Sequence, residues 1–191
     1  MLQTLDVAPT TVKFVVRHSH DELLAAAVRV VREHGLRQLS FGRVAKVAGT
    51  NDRTVVYYFP TKEALVTEVL LAMSRELQVR LSAVGDEPVR GHRDLLKIAW
   101  PVLAHPEADA VFALFFEASG LAAAGVAPYD TLVPALVAAW LEWAEARLIG
   151  SPSSRRVEAE AAVALIDGLL LFRQVMGSDG ADRAARRLTG E

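Results

Sequence analysis

Between Ser40 and Phe59 the chain carries two helix starts and a glycine so close together that only two short helices and a tight turn fit. Ser40 is followed by F-G-R-V-A-K-V-A, then Gly49 and Thr50, then Asn51 and D-R-T-V-V-Y-Y-F. Ser and Asn are N-cap residues, whose side-chain oxygen takes up an amide left unpaired in the first helical turn. They predict helices over 41–48 and over about 51–58, with Pro60 as the stop. Gly49 supplies the backbone freedom that the turn requires. Val44, Ala45, Ala48 and Val55 give the two helices small apolar inner faces, so they can cross closely. Asn51, Asp52, Arg53, Thr54 and Tyr57 form a polar outer side. The spacing predicts a helix-turn-helix, which sets its second helix into the major groove of DNA. The helix N-termini at Ser40 and Asn51 offer free amides to phosphate oxygens.

The flanks are helical as well. Ser19 and Glu22 form a capping box, S-x-x-E, and Leu23, Leu24, Ala27, Val28 and Val31 repeat on one helical face. Gly35 closes that helix. Thr61 caps a fourth helix running from Lys62 to about Val84. Beyond the breaker at 85–91, helices are expected near 92–103, 107–118, 129–148, 154–176 and 179–188, and Pro101 should kink or divide the first of these. Thr10 to Arg17, rich in Val and Thr, reads as a short strand or an extended arm. The fold class is all-α, about nine helices. An arm (1–18) precedes a three-helix helix-turn-helix DNA-binding domain (19–62) and a helical ligand-binding and dimerisation domain (63–191).

Charge and composition narrow the function. The net charge of the 191 residues is -2, but it is unevenly spread. From Met1 to Lys62, nine Lys/Arg stand against five Asp/Glu, which leaves +4, and the remainder carries −6. A basic head on an acidic body suits a chain whose head alone meets phosphates. The absence of cysteine removes disulfides, thiolate chemistry and Cys-ligated metals. No run approaches the ~20 apolar residues of a membrane span, and the N-terminus lacks a signal-peptide pattern. A soluble cytoplasmic protein without a membrane partner is expected.

The stretch from Gly35 to Leu65 closely resembles the N-terminal domain of the TetR family of transcriptional regulators. Ser40, Val44-Ala45, Ala48-Gly49, Tyr58-Phe59 and Thr61-Lys62-Glu63 fall in register with the family pattern. The resemblance implies that Ser40 caps the second helix and touches phosphate. It implies that Asn51, Asp52, Arg53 and Thr54 approach base edges, and that Tyr57 reaches bases or a thymine methyl. Tyr58 and Lys62 would contact the backbone, and Phe59 would lock the recognition helix in place. Arg43 and Lys46 fit phosphate contacts and a solvated face equally well. Two positions depart from the pattern. Asp52 brings a carboxylate towards DNA, which weakens non-specific binding unless it accepts from cytosine N4 or pairs with Arg53. Val56 replaces an aromatic with a small apolar surface.

The remainder is rich in large apolar side chains. Trp100, Leu103, Phe112, Phe115, Phe116, Trp140, Trp143 and Phe172 are candidates for the lining of a ligand cavity between helices, with core packing as the other reading. Glu117 reads as a surface carboxylate, with a ligand anchor as the alternative. Ala161, Ala164, Leu165, Gly168, Leu169 and Phe172 lie on a helix apolar on more than one face, which must be buried on more than one side. The resemblance implies a two-fold homodimer built there, and a palindromic double-stranded DNA operator follows from that symmetry. No catalytic or metal-binding constellation and no cofactor motif is present, so no enzyme activity is expected. The sequence therefore reads as a repressor released by a small apolar or amphipathic effector. The alternative is a helical ligand-binding protein or enzyme with a degenerate DNA-binding head.

Overall fold

Side-chain caps set most of the helix starts. The computed structural model describes residues 18–85 and 87–190, so the arm expected at Thr10 to Arg17 lies outside the described residues. Those residues form nine α-helices: α1 His20–His34, α2 Phe41–Ala48, α3 Asp52–Tyr58, α4 Lys62–Leu81, α5 His92–Leu103, α6 Asp109–Ala123, α7 Tyr129–Glu145, α8 Pro152–Met176 and α9 Ser178–Thr189. Ser19, Ser40, Asn51, Thr61 and Ser151 each accept an amide of the first turn that follows. At Ser19 the capping box is complete, with the Glu22 carboxylate accepting the Ser19 amide at 2.9 Å. No helix among the described residues is long and apolar enough to cross a membrane.

Several helices end away from their expected residues: α7 stops at Glu145 rather than 148, and α8 starts at Pro152 rather than 154. α4 stops at Leu81, and its last residues give way to a turn through Val84. α6 runs five residues beyond the expected Ala118, through Gly120. Its buried face (Val111, Phe112, Leu114, Ala118) outweighs the helix weakness of one glycine. α5 continues unbroken through Pro101, which stands in its last turn where only one hydrogen bond is forgone.

One cluster of buried side chains extends from Leu23 of α1 to Ala185 of α9. α4 belongs to both ends of it. Its Leu65, Val66 and Val69 pack under the head, and its Leu77 and Leu81 reach the body. α1 packs against α2, α4 and α6, so the head rests on two helices of the body. A second, smaller cluster (Leu95, Ala144, Leu148, Ala159, Ala162) holds α5, α7 and α8 together. There the backbone of Val89 is tied to Arg147 and Ile149 by hydrogen bonds of 2.8 and 3.0 Å.

Candidate nucleic-acid interface and effector cavity

The two short helices cross on Val44, Ala45 and Val55, all buried. Gly49 takes the left-handed conformation (φ 71°, ψ 34°) between them, a geometry that disfavours any side chain. The Ser40 hydroxyl accepts the Arg43 amide at 3.3 Å, the Asn51 Oδ1 the Thr54 amide at 3.1 Å, and the Thr61 hydroxyl the Ala64 amide at 3.1 Å. Arg43, Asn51, Asp52, Arg53, Tyr57 and Lys62 are exposed and Thr54 is half-buried. Tyr57 is 80% exposed, more than the other exposed large hydrophobic side chains among the described residues. An aromatic side chain so exposed gains little from the core.

Tyr58 is held differently. Its hydroxyl donates to the His18 carbonyl at 2.7 Å, and its ring meets Tyr57 and His20 edge-on. It thus braces α3 against the entry to α1, with an oxygen lone pair still open to a donor. Phe59 is 1% exposed and packs on His20, with ring centroids 4.9 Å apart. Asp52 turns back over α2. A Cβ built on Gly42 would lie 3.4 Å from its Oδ2, so the absence of a side chain at Gly42 makes room for that carboxylate. Among the described residues no ion pair joins Asp52 to Arg53.

In the body, two narrow cavities flank Trp140, of about 20 and 30 Å³, room for a water or two in each. Leu77, Leu81, Leu103, Trp140, Trp143, Val163, Ile166 and Asp167 line the first. Leu70, Met73, Ser74, Leu77, Val111, Phe115, Ala118, Leu136 and Trp140 line the second. Trp140 and Leu77 are the wall between them. Of the expected ligand residues, Leu103, Phe115, Trp140 and Trp143 therefore come together. The other four stand away from this lining. Trp100 gives its indole N–H to Asp182 of α9 at 2.9 Å. Phe112 is fully buried core with its edge to Trp140, and Phe116 packs on Phe115. Phe172 is 42% exposed on the outer side of α8, because it is five positions from Asp167, well past one turn.

Sequence reasoning passed over Asp167. Its Oδ1 is enclosed without a hydrogen-bond partner, and so is the Nε1 of Trp140. Burial pushes its carboxyl up to about 7. A lone acid inside the apolar run A-V-A-L-I-D-G-L-L-L was the signal available.

Glu117 is neither a free surface carboxylate nor a cavity group. From α6 it accepts the amides of Leu36 at 2.9 Å and Arg37 at 3.1 Å, capping the 3-10 turn Leu36–Gln38 between α1 and α2. On α8, Ala164 and Gly168 are exposed, and Ala161 and Leu165 are half-buried. With Val157, Leu171 and Val175 they trace an outward stripe at 157, 161, 164, 168, 171 and 175, the alternating four- and three-residue spacing of a helix–helix seam. Leu169 is the exception. It faces the opposite side of α8 and is buried at 6% in the chain's own core, so it is not available to a partner.

Residues 23–69 match the family model for bacterial regulatory proteins of the tetR family. The HTH-type transcriptional repressor NicS of Pseudomonas putida is 30% identical over 93 residues, which are 47% of this chain and 44% of that protein, so the likeness spans less than half of the relative. A transcriptional regulator from Rhodococcus sp. Rha1 has a similar structure, with a TM-score of 0.74, 23% identity, and coverage of 91% of this chain and 95% of that one. The multidrug binding protein EbrR, solved with imidazole, follows at a TM-score of 0.67 and 20% identity, covering 90% and 95%. Both structural likenesses show the fold.

Proposed function

Because the chain belongs to the TetR family of bacterial regulatory proteins, we propose that it is a cytoplasmic transcriptional repressor that binds a palindromic operator as a homodimer and lets go when a small molecule enters the body. The observation that carries this reading is the outer side of α3. A capped helix end, Arg53 and a Tyr57 that is 80% exposed project together, on a framework held rigid by buried Val44, Val55 and Phe59. In that reading residues 19–62 are the DNA-binding head and 63–191 the effector and dimerisation body.

Arg53, Asn51, Thr54 and Tyr57 read the major groove. Ser40, Arg43, Tyr58 and Lys62 hold phosphates on either side. The outward stripe of α8, continued by Phe172, joins two copies so that their α3 helices lie about 34 Å apart, one turn of duplex.

The body and the head share two helices, which gives the effector its lever. Leu77 and Leu81 of α4 line one cavity, and Phe115 and Ala118 of α6 line the other. α4 begins under the head at Lys62, about 22 Å along the helix from Leu77. α6 grips the α1–α2 connection through Glu117. A molecule that parts these helices favours a head spacing that no longer fits the operator, a shift between two states of different affinity.

The test is a gel-shift titration of the purified chain against the DNA upstream of its own coding region. A discrete shift that persists over random competitor is the expected result. Absence of any shift at low salt with that fragment and with a genomic library would overturn the reading.

A further inference from the structure

We infer that the effector is an organic cation with an apolar or aromatic body, a lipophilic amine or quaternary ammonium, and that Asp167 is its counter-ion beside Trp140. This rests on the effector-released regulator proposed above and names the chemistry of its ligand.

Asp167 stabilises nothing that the structure displays. Its Oδ1 is enclosed and accepts no hydrogen bond, and burial raises its carboxyl to about 7, the mark of a charge held without a partner. Asp167 is half-buried, and an acid whose Oδ1 is enclosed without a partner destabilises the fold, so its place in the lining calls for a use. The rest of the lining of both cavities is apolar apart from Ser74 and the indoles, and neither lining contains Lys, Arg or His. Among the described residues, no cation lines the cavity beside this acid. The neighbouring guanidinium, Arg147, is engaged on the ring of Trp143 at 4.3 Å and with the Trp143 carbonyl.

Two indoles beside one carboxylate form a site for a positive charge on a greasy frame. The carboxylate supplies the opposite charge, and the indole of Trp140 attracts a cation and buries its carbon groups, while Arg147 already covers one face of Trp143. An anion would meet the carboxylate at close range with no compensating charge. A neutral hydrocarbon would fill the space but leave Oδ1 unpaired. The cavities as they stand hold a water or two, so the ligand must displace Trp140, the wall they share. That indole has no hydrogen bond to lose, because its Nε1 is already unpartnered.

The test uses one shape with and without a charge. Benzyltrimethylammonium and its carbon isostere neopentylbenzene are titrated calorimetrically into the full-length protein, together with the anion 3-phenylpropionate. The expected result is a preference for the cation over the isostere of at least about tenfold. Asp167→Asn abolishes this preference while neopentylbenzene binds as before, and Asp167→Leu, which replaces the acid with an apolar group, gives the same loss. Equal binding of cation and isostere by the wild-type chain, a preference for the anion, no binding of the cation, or an undiminished preference in both variants would each overturn the inference. Operator binding by the wild-type chain is followed in parallel. Intact DNA binding with no cation preference removes the ligand class and leaves the regulator, whereas absence of DNA binding removes the regulator itself.

Discussion

The Glu117 carboxylate accepts the amide of Leu36 at 2.9 Å across 81 residues of sequence. A second bond, from the Arg37 amide at 3.1 Å, makes it the cap of the turn that joins the first two helices of the head. Burial and the charge of this same carboxylate hold the hydroxyl of Tyr129 above its usual pKa. Glu117 is three residues past Leu114 of the core, two past Phe115 and one before Ala118, and the last two line a cavity. Any movement of α6 there is felt at the head.

Glu117→Ala should lower stability by about 1–3 kcal/mol, the amount expected when a carboxylate leaves two amides without an acceptor. The larger effect should be on coupling. Operator affinity without effector should change little, while the fraction of DNA released at saturating effector should fall. Thermal melts and anisotropy titrations with and without effector read the two effects separately. Full release by the variant would show that the signal travels through α4 instead.

Gly35→Ala should disturb the same junction from the other side. Gly35 has φ 81°, where an L side chain is strained, and the new Cβ would lie 3.0 Å from the Glu117 Oε2. The two changes should therefore be less than additive in a double-mutant cycle, because both act on one contact. Additive losses in melting free energy would place the strain elsewhere.

On the DNA side, Lys62→Ala should weaken binding to every sequence alike and lower the dependence of log K on log salt by about 1. Arg53→Ala should instead relax the preference at one base pair by about 1–3 kcal/mol. Asp52→Asn should strengthen non-specific binding, since it removes a negative charge near phosphates. Anisotropy measured over a salt series and a randomised operator pool distinguishes these outcomes, and an unaltered base profile for Arg53→Ala would take away its reading role.

Asp167 should leave a mark on the pH dependence of folding. Its carboxyl is raised from 3.8 to about 7 by burial, so the folded chain binds this proton more tightly than the unfolded chain. Stability from this group is therefore full below about pH 4, falls as the pH rises towards 7, and is lost above that. Glu107 and Glu158, whose carboxyls are lowered by Arg80 and His92, work in the opposite direction. Denaturant titrations of Asp167→Asn and the wild type cancel those shared terms. The variant should be the more stable at pH 8, with the gap closing towards pH 4. A gap that is constant with pH would mean that the carboxyl is solvated.

The α8 stripe gives a prediction about assembly. Leu171 is 47% exposed and Val175 72% exposed in the single chain. Leu171→Arg and Val175→Glu should yield monomers in sedimentation velocity with the helical circular dichroism intact. Persistent dimers would move the interface to another face.

The sequence by itself determined the helices and the helix-turn-helix. Caps are local: Ser40, Asn51 and Thr61 bond amides three residues away, so their effect is written in adjacent letters. The same holds for Gly49, whose conformation the turn demands, and for the buried place of Phe59. Helix ends inside the body were less legible, because α6 continues through Gly120 for the sake of a buried face that the residues themselves do not announce. Only the tertiary structure decided the rest. It put Trp100 against Asp182 and left Phe172 outside, although both are aromatic residues in apolar helices. It turned Glu117 into a cap for a turn 81 residues away and enclosed the Oδ1 of Asp167 beside Trp140. A side chain's partners across helices depend on how those helices rotate and cross, and that follows from the packing of the whole core rather than from any neighbouring stretch of the chain.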